Sequence, residues 1–464
     1  MSELVYCSAR RLAALIRNGE VSCLDVAEAH FRRIEEVNPR LNAVVQFDPA
    51  LLRKQALAAQ ASTGRREVCG PLHGVPFTVK DSLETAGLAT TSGNLGRAAF
   101  VPQADATAVA RLRAAGGLLL GKTNVPDLTF AYETDNLVYG RTNNPYDLSR
   151  TPGGSCGGEA AIIAAGGSPL GIGSDLGGSL RYPAHFCGIA SLKPTARRIP
   201  RTGHFPPAAG ILEALWHVGP LARFVEDLEL ALPLLAGPDG RDSSVESRPL
   251  REANSVVLNE LRVAFYTDNG LHPPTPETRA AVTEAVRALS TACADVAEAQ
   301  PRELTPAYVL PWKILGADGG AGLRELLAAI GCDRVHPYLE TLLERLRLAP
   351  LSAAELGEAV SQLEDARAAM STFWDSYEVL ICPVCAFPAP PHGQAVGEEA
   401  MLGFSYTVPY NVTGWPVVAV RAGESADGLP IGLQVISPPW REDIALAVAG
   451  FIEKTFGGWK PPPL

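Results

Sequence analysis

No apolar run in this 464-residue chain approaches the roughly 18 residues that a membrane-spanning helix needs, which excludes a helical membrane protein. A dense basic stripe is also missing. With 40 basic against 50 acidic side chains and a formal charge of −10, nothing neutralises a phosphate backbone, so a nucleic-acid partner is excluded and the acidity serves solubility. The 8 histidines are dispersed without metal-ligand spacing, so no metal is expected, and no other cofactor is called for. Nine cysteines, an odd number scattered from Cys7 to Cys385, do not make a disulfide framework and suit a reducing compartment. The N-terminus carries Arg10, Arg11 and Arg17 where a secretory signal has an apolar core, and it lacks a small-residue cleavage site, so a cytoplasmic location is expected. Internal repeats and low-complexity blocks are absent as well.

What is present begins with a core: 47% hydrophobic residues allow a large buried interior in one or two α/β domains. Ser22-Cys23-Leu24-Asp25 reads as a capping box opening an amphipathic helix to about Glu36. The run 75–79 predicts a short buried strand that delivers Lys80 at its end, and 118–120 and 170–172 predict further strands, with helices over 104–115 and 159–165. Residues 304–373 are mostly helical in pattern, with Leu339, Leu342, Leu343 and Leu346 at helical spacing, and predict a helical cover. Sheet-like runs return at 379–382, 417–420 and 431–436.

Two glycine-wrapped serines carry the chemistry: Ser155 in Gly153-Gly154-Ser155-Cys156-Gly157-Gly158 and Ser179 in Asp175-Leu176-Gly177-Gly178-Ser179-Leu180-Arg181. Without a Cβ, glycine lets backbone N–H groups approach a reacting carbonyl, where they stabilise an oxyanion. Either loop alone reads equally as an ordinary turn. Two of them, with Lys80 at the end of an apolar strand, read as a serine hydrolase that uses lysine where others use histidine. Amide hydrolysis needs a nucleophile, a proton acceptor and oxyanion donors, and a lysine accepts a proton only if burial or nearby positive charge lowers its pKa from ~10.4.

These motifs resemble the amidase signature family. The resemblance runs along nearly the whole chain: Pro71-Leu72-His73-Gly74-Val75-Pro76-Phe77-Thr78-Val79-Lys80-Asp81, the glycine- and serine-rich stretch from Thr151 to Thr195, Gly414-Trp415-Pro416, and Gly428-Leu429-Pro430-Ile431-Gly432-Leu433-Gln434. The separations of 75 residues from Lys80 to Ser155 and 24 from Ser155 to Ser179 agree with the family. The resemblance implies a single domain over residues 1–464, with a large mixed β-sheet flanked by helices. It implies a triad in which Lys80 is the base, Ser155 the bridging serine in a cis peptide and Ser179 the nucleophile of an acyl-enzyme mechanism. The N–H groups of Leu176, Gly177, Gly178 and Ser179 would form the oxyanion hole, and Asp175 and Arg181 read as a pair bracing the loop.

Two departures bear on specificity. Cys156 stands where the family often has a second serine, and a thiol fills that space as a weaker donor. Tyr182 stands where amidotransferase subunits commonly have glutamine, and the segments 202–207 and 211–216 also differ from that branch. Stand-alone hydrolysis of a small or aryl amide, carbamate (urethane) or ester is therefore favoured over the role of an ammonia-supplying, glutamine amidotransferase A-type chain. The expected partner is a small-molecule substrate, with a monomer or homodimer as the assembly. Gly154, Phe130, Tyr132, Tyr182, Phe205, Trp216 and Trp312 are candidates for the pocket, although each aromatic equally suits core packing.

Three further motifs compete. Gly153-Gly154-Ser155-Cys156-Gly157 fits the nucleophile elbow of α/β-hydrolase esterases, which would recruit His392, but polar residues 147–152 precede it where that motif needs an apolar strand. The stretch 116–123 fits a phosphate loop, yet its variable positions are apolar. Cys382-Pro383-Val384-Cys385 has redox spacing but reads as a buried strand end.

Overall fold

The computed structural model describes residues 4–65, 67–207, 210 and 213–464. Ile211 and Leu212 of the segment 211–216 lie outside the described residues. Among the described residues the strands are β1 (Val44–Gln46), β2 (Pro76–Lys80), β3 (Leu118–Thr123), β4 (Leu170–Asp175), β5 (Ala190–Lys193), β6 (His217–Ala222), β7 (Arg262–Phe265), β8 (Asp295–Glu298), β9 (Val379–Pro383), β10 (Val417–Glu424) and β11 (Pro430–Ile436). They form one 11-stranded mixed sheet in the order β1-β3-β2-β4-β6-β5-β10-β11-β9-β7-β8.

Period-two alternation sends successive side chains of a strand to opposite faces, and β9 shows it: Val379 and Ile381 join the core on one face, Leu380 and Cys382 the core on the other. The first core gathers Phe77, Val79, Ile172, Leu192 and Val418 under the helices Ala9–Arg17, Val225–Leu235, Pro276–Leu289 and Glu442–Phe456. The second packs Tyr406, Tyr410 and Trp415 against residues of the helices Leu304–Leu315 and Ala353–Ser371. Within 304–373 the helices Ala321–Ala329 and Pro337–Arg347 also form, and Leu327 and Leu339 pack on Leu128.

Several boundaries move from those expected. The helix opened by the Ser22–Asp25 capping box runs over Cys23–Leu41, five residues beyond Glu36, because Val37 and Leu41 continue its buried stripe before Asn42 turns left-handed. Strand β3 extends past Leu120 through Lys122 and Thr123, since both polar side chains find buried partners. Lys122 donates to Leu83 O and Thr90 Oγ1 and pairs with Asp81 at 3.5 Å, while Thr123 donates to Glu159. The apparent phosphate loop is therefore strand from Leu118 onward, and its lysine is fully buried.

What matters for the site is register. Strands β2 and β4 are parallel, with Val79 opposite Ile172, so Lys80 and Ser174 arrive together at the carboxyl ends of neighbouring strands, where α/β sheets open to ligands. The helix Gly157–Ala164 follows Ser155 directly, and the helix Arg181–Cys187 follows Ser179, so both serine loops sit on helix-opening turns at that edge.

Candidate active site

Lys80, fully buried at the end of β2, places Nζ 2.7 Å from Ser155 Oγ, 3.0 Å from Ser174 Oγ and 3.2 Å from Ser174 O. Burial lowers its proton affinity below that of an ordinary lysine, while Cys156, Asp175 and Glu159 act in the opposite direction. Glu159 is itself buried and accepts from Thr78 and Thr123. Burial pushes its carboxyl up to about 7, which weakens the counter-charge that would otherwise keep Lys80 protonated. The site therefore holds a lysine biased toward the neutral amine, in contact with a serine hydroxyl.

Ser155 follows Gly154 through a cis peptide. A Cβ on Gly154 would lie 2.4 Å from Ala131 O, so the close backbone approach requires glycine here; Gly154 shapes the loop and is not part of the cavity wall. The two serine loops are tied together by Cys156 N–H donating to Ser179 O at 3.3 Å. No side-chain hydrogen bond joins the serines among the described residues, and the two differ in setting: Ser155 is packed against the lysine, whereas Ser179 lines a cavity.

Asp175 and Arg181, both fully buried, form the brace of the second loop at 3.0 Å. Arg181 also donates to Thr407 O, Gln434 Oε1 and Asn411 Oδ1, which anchors the loop to the C-terminal part of the chain. Burial opposes ionisation of Asp175, but the charge and hydrogen bonds of Arg181 prevail and hold it well below the usual carboxylate range. Asp175 also accepts from Leu180 N–H and, at 2.7 Å, from Gly178 N–H. That bond corrects the expected donor set. Gly178 N–H is engaged by Asp175, whereas the N–H groups of Leu176, Gly177 and Ser179 make no hydrogen bond among the described residues, and these three residues line the cavity. Gly178 instead serves the turn: at φ +125° a Cβ would come within 2.2 Å of the Tyr182 ring.

The cavity has a volume of about 850 Å³, part of it open to solvent, and Phe130, Tyr132, Trp312, Leu342 and Met401 give it a largely apolar wall. A neighbouring chamber of about 890 Å³ shares Phe130, Leu176 and Leu342 with it and carries Trp216. Phe130, Tyr132 and Trp312 are thus cavity residues, and Trp216 belongs to the adjoining chamber. Tyr182 and Phe205 line neither. Tyr182 is fully buried behind Tyr132 and Phe404 and hydrogen-bonds Phe404 O and Thr407 Oγ1, and Phe205 stacks beneath the Arg97 guanidinium at 3.8 Å. Tyr132 Oη and Trp312 Nε1 are buried polar atoms without a protein partner among the described residues, both from residues of the cavity wall.

Sequence reasoning missed Ser174 and the far wall. Ser174 precedes a conspicuous aspartate and looks like any strand serine until register sets it beside Lys80. Tyr338, Thr341 and Arg345 reach the cavity from the helix Pro337–Arg347, whose pattern shows an apolar stripe but not what lies opposite.

The competing motifs resolve on position. His392 lies against Leu148 O and Glu133, not at Ser155, and residues 151–154 before Ser155 form no strand. Cys382 and Cys385 are buried free thiols that burial pushes up to about 11 and about 12, so neither is poised for exchange. Alkylation of the native protein at neutral pH is accordingly expected to spare both, as peptide mapping would show. No metal-binding cluster and no helix long and apolar enough to cross a membrane occur among the described residues.

The family model described as Amidase matches residues 25–446. The chain is similar to an acylamidase of Rhodococcus erythropolis, at 36% identity over 97% of this chain and 95% of that protein. It is also similar to the A-type chain of the glutamyl-tRNA(Gln) amidotransferase of Salinispora arenicola, at 33% identity over the full length of both. Among solved structures, a 6-aminohexanoate cyclic dimer hydrolase complexed with substrate superposes with a TM-score of 0.88 at 28% identity, covering 99% of each chain. A lysine and two glycine-loop serines at one sheet edge, a family match over most of the chain and full-length relatives agree: the chain belongs to the amidase signature family of amide hydrolases.

Proposed function

We propose that this enzyme cleaves small, predominantly aryl, amides and the related carbamates through an acyl-enzyme. In this reading neutral Lys80 takes the Ser155 proton, Ser155 takes that of Ser179, and Ser179 Oγ attacks the carbonyl carbon. The oxyanion is received by the unengaged N–H groups of Leu176, Gly177 and Ser179, each worth roughly 3–4 kcal/mol in other hydrolases. Collapse expels the amine, which takes the proton back through the relay, and water then releases the acid. The observation that carries the reading is the division of labour between the serines: Ser155 lies 2.7 Å from Lys80 Nζ, while Ser179 faces the cavity.

Substrate class follows from the walls. Two apolar chambers meeting at Phe130, Leu176 and Leu342 suit a molecule with a flat apolar group on each side of the scissile bond. An aniline is also a better leaving group than an alkyl amine, and amides and carbamates pass through the same oxyanion. The purified chain, with no partner added, is expected to hydrolyse nitroanilides and aryl carbamates with a higher kcat/KM than glutamine. The amidotransferase relative supports a second reading, as the ammonia-supplying part of a larger assembly. Efficient glutamine hydrolysis with negligible anilide cleavage would establish that reading instead.

In this reading the hydroxyl of Tyr132, a residue of the cavity wall, contacts the substrate. Tyr132→Phe is expected to lower kcat/KM about tenfold, the worth of one hydrogen bond, without loss of thermal stability, because it removes a buried unsatisfied group. Steady-state kinetics alongside thermal unfolding checks both halves.

A further inference from the structure

Three oxygens lie at hydrogen-bonding distance of Lys80 Nζ, Ser155 Oγ, Ser174 Oγ and Ser174 O, and the Cys156 thiol, whose own proton goes to Ser174 O, also neighbours the amine. The carbonyl can only accept, so the direction of the other two bonds decides whether the amine is free to act as a base. Ser174 has one hydroxyl proton, and its destination is set by a residue outside the triad. His204, buried, places Nδ1 2.8 Å from Pro206 O and Nε2 2.8 Å from Ser174 Oγ. The Pro206 carbonyl must receive a hydrogen, so Nδ1 carries the ring proton. Nε2 is then bare, and it accepts the Ser174 hydroxyl proton. Burial, the largest influence, pulls His204 down to about 3, so the singly protonated ring persists at neutral pH.

With its proton given to His204, Ser174 offers Lys80 only lone pairs. Both hydrogens of the neutral amine are drawn to Ser174 Oγ and Ser174 O, and the amine lone pair is left facing Ser155 Oγ. We propose that His204 is a positioning residue that acts through Ser174 to fix the direction of hydrogen bonding at Lys80, so that the lysine accepts from Ser155 and from no other hydroxyl. The inference rests on the relay described above. Other groups bearing on this chain are Cys156, whose thiol donates to Ser174 O at 3.3 Å, together with Asp175 and Glu159 near Lys80. Arg201 adds its charge near His204, and the Trp216 ring packs edge-on against the imidazole at 5.0 Å.

The test is the pH dependence of Ser179 labelling by a fluorophosphonate, which needs no knowledge of the substrate. His204→Phe keeps a ring beside Trp216 but frees the Ser174 proton to bond the Lys80 lone pair in competition with Ser155. The plateau rate is expected to fall about tenfold, and the acid limb to move to lower pH because the neutral amine gains a donor. His204→Gln, which restores an acceptor within reach of Ser174, is expected to recover most of the rate. His204→Asn keeps a donor for Pro206 O but is too short for Ser174, and it is expected to repeat the His204→Phe result should that variant fold poorly. Because the effect passes through Ser174, His204→Phe combined with Ser174→Ala is expected to label at the rate of Ser174→Ala alone.

Equal losses in the Phe and Gln variants with an unmoved limb, or losses that multiply in the double variant, would overturn the proposal. Labelling that ignores Lys80→Ala, or that falls on another residue of the wild type, would instead refute the relay itself.

Discussion

Ser179→Ala is expected to reduce amide turnover by roughly 10⁴-fold or more and to abolish fluorophosphonate labelling, because it removes the attacking oxygen while leaving the cavity intact. Ser155→Ala is expected to be less severe. It breaks the proton path between Lys80 and Ser179 but keeps the nucleophile and the unengaged N–H groups of Leu176, Gly177 and Ser179, so weak residual activity remains. The ordering matters more than either value. If the two serines exchanged roles, Ser155→Ala would be the variant that loses labelling.

The second large effect is at Lys80. Its replacement by alanine is expected to cost roughly 10²–10⁴-fold in kcat/KM and to remove the acid limb of the pH profile. In the wild type kcat/KM is expected to rise from acid toward mildly alkaline pH, as the buried lysine, whose proton affinity burial has lowered, gives up its proton. The same shift acts on stability with a definite sign. A lysine depressed in the folded state binds its proton less readily there than in the unfolded chain. Its burial therefore costs stability in full below the folded pKa, and the cost fades as pH rises from that value toward the unfolded ~10.4. Lys80→Met is expected to remove this component from the pH dependence of thermal unfolding. A Lys80→Ala enzyme with near-native rates would exclude the lysine as the base.

Much of the candidate site is legible in the sequence because its chemistry is written in local motifs. Glycines crowd Ser155 and Ser179, and an apolar run delivers Lys80, each within about a dozen residues. What is not legible depends on contacts distant in sequence. That Gly178 N–H turns to Asp175 is a matter of loop geometry, and that Tyr182 packs behind Tyr132 and not on the cavity wall depends on Phe404, 222 residues away. His204 meets Ser174 only because the 201–207 loop returns over the end of β4, for which no spacing rule exists. Element boundaries shift for a related reason. Lys122 and Thr123 look too polar for a buried strand until Asp81 and Glu159 are seen to meet them. The α/β alternation is readable, whereas the order that sets β10 beside β5 is not, since antiparallel partners more than 200 residues apart leave no local trace.

The mechanism depends most directly on which serine is the nucleophile. Wild-type protein treated with a fluorophosphonate, digested and mapped by mass spectrometry is expected to carry one adduct, on Ser179, and to lose it when Lys80 is replaced by alanine. An adduct on Ser155, with Ser179 unmodified, would contradict it.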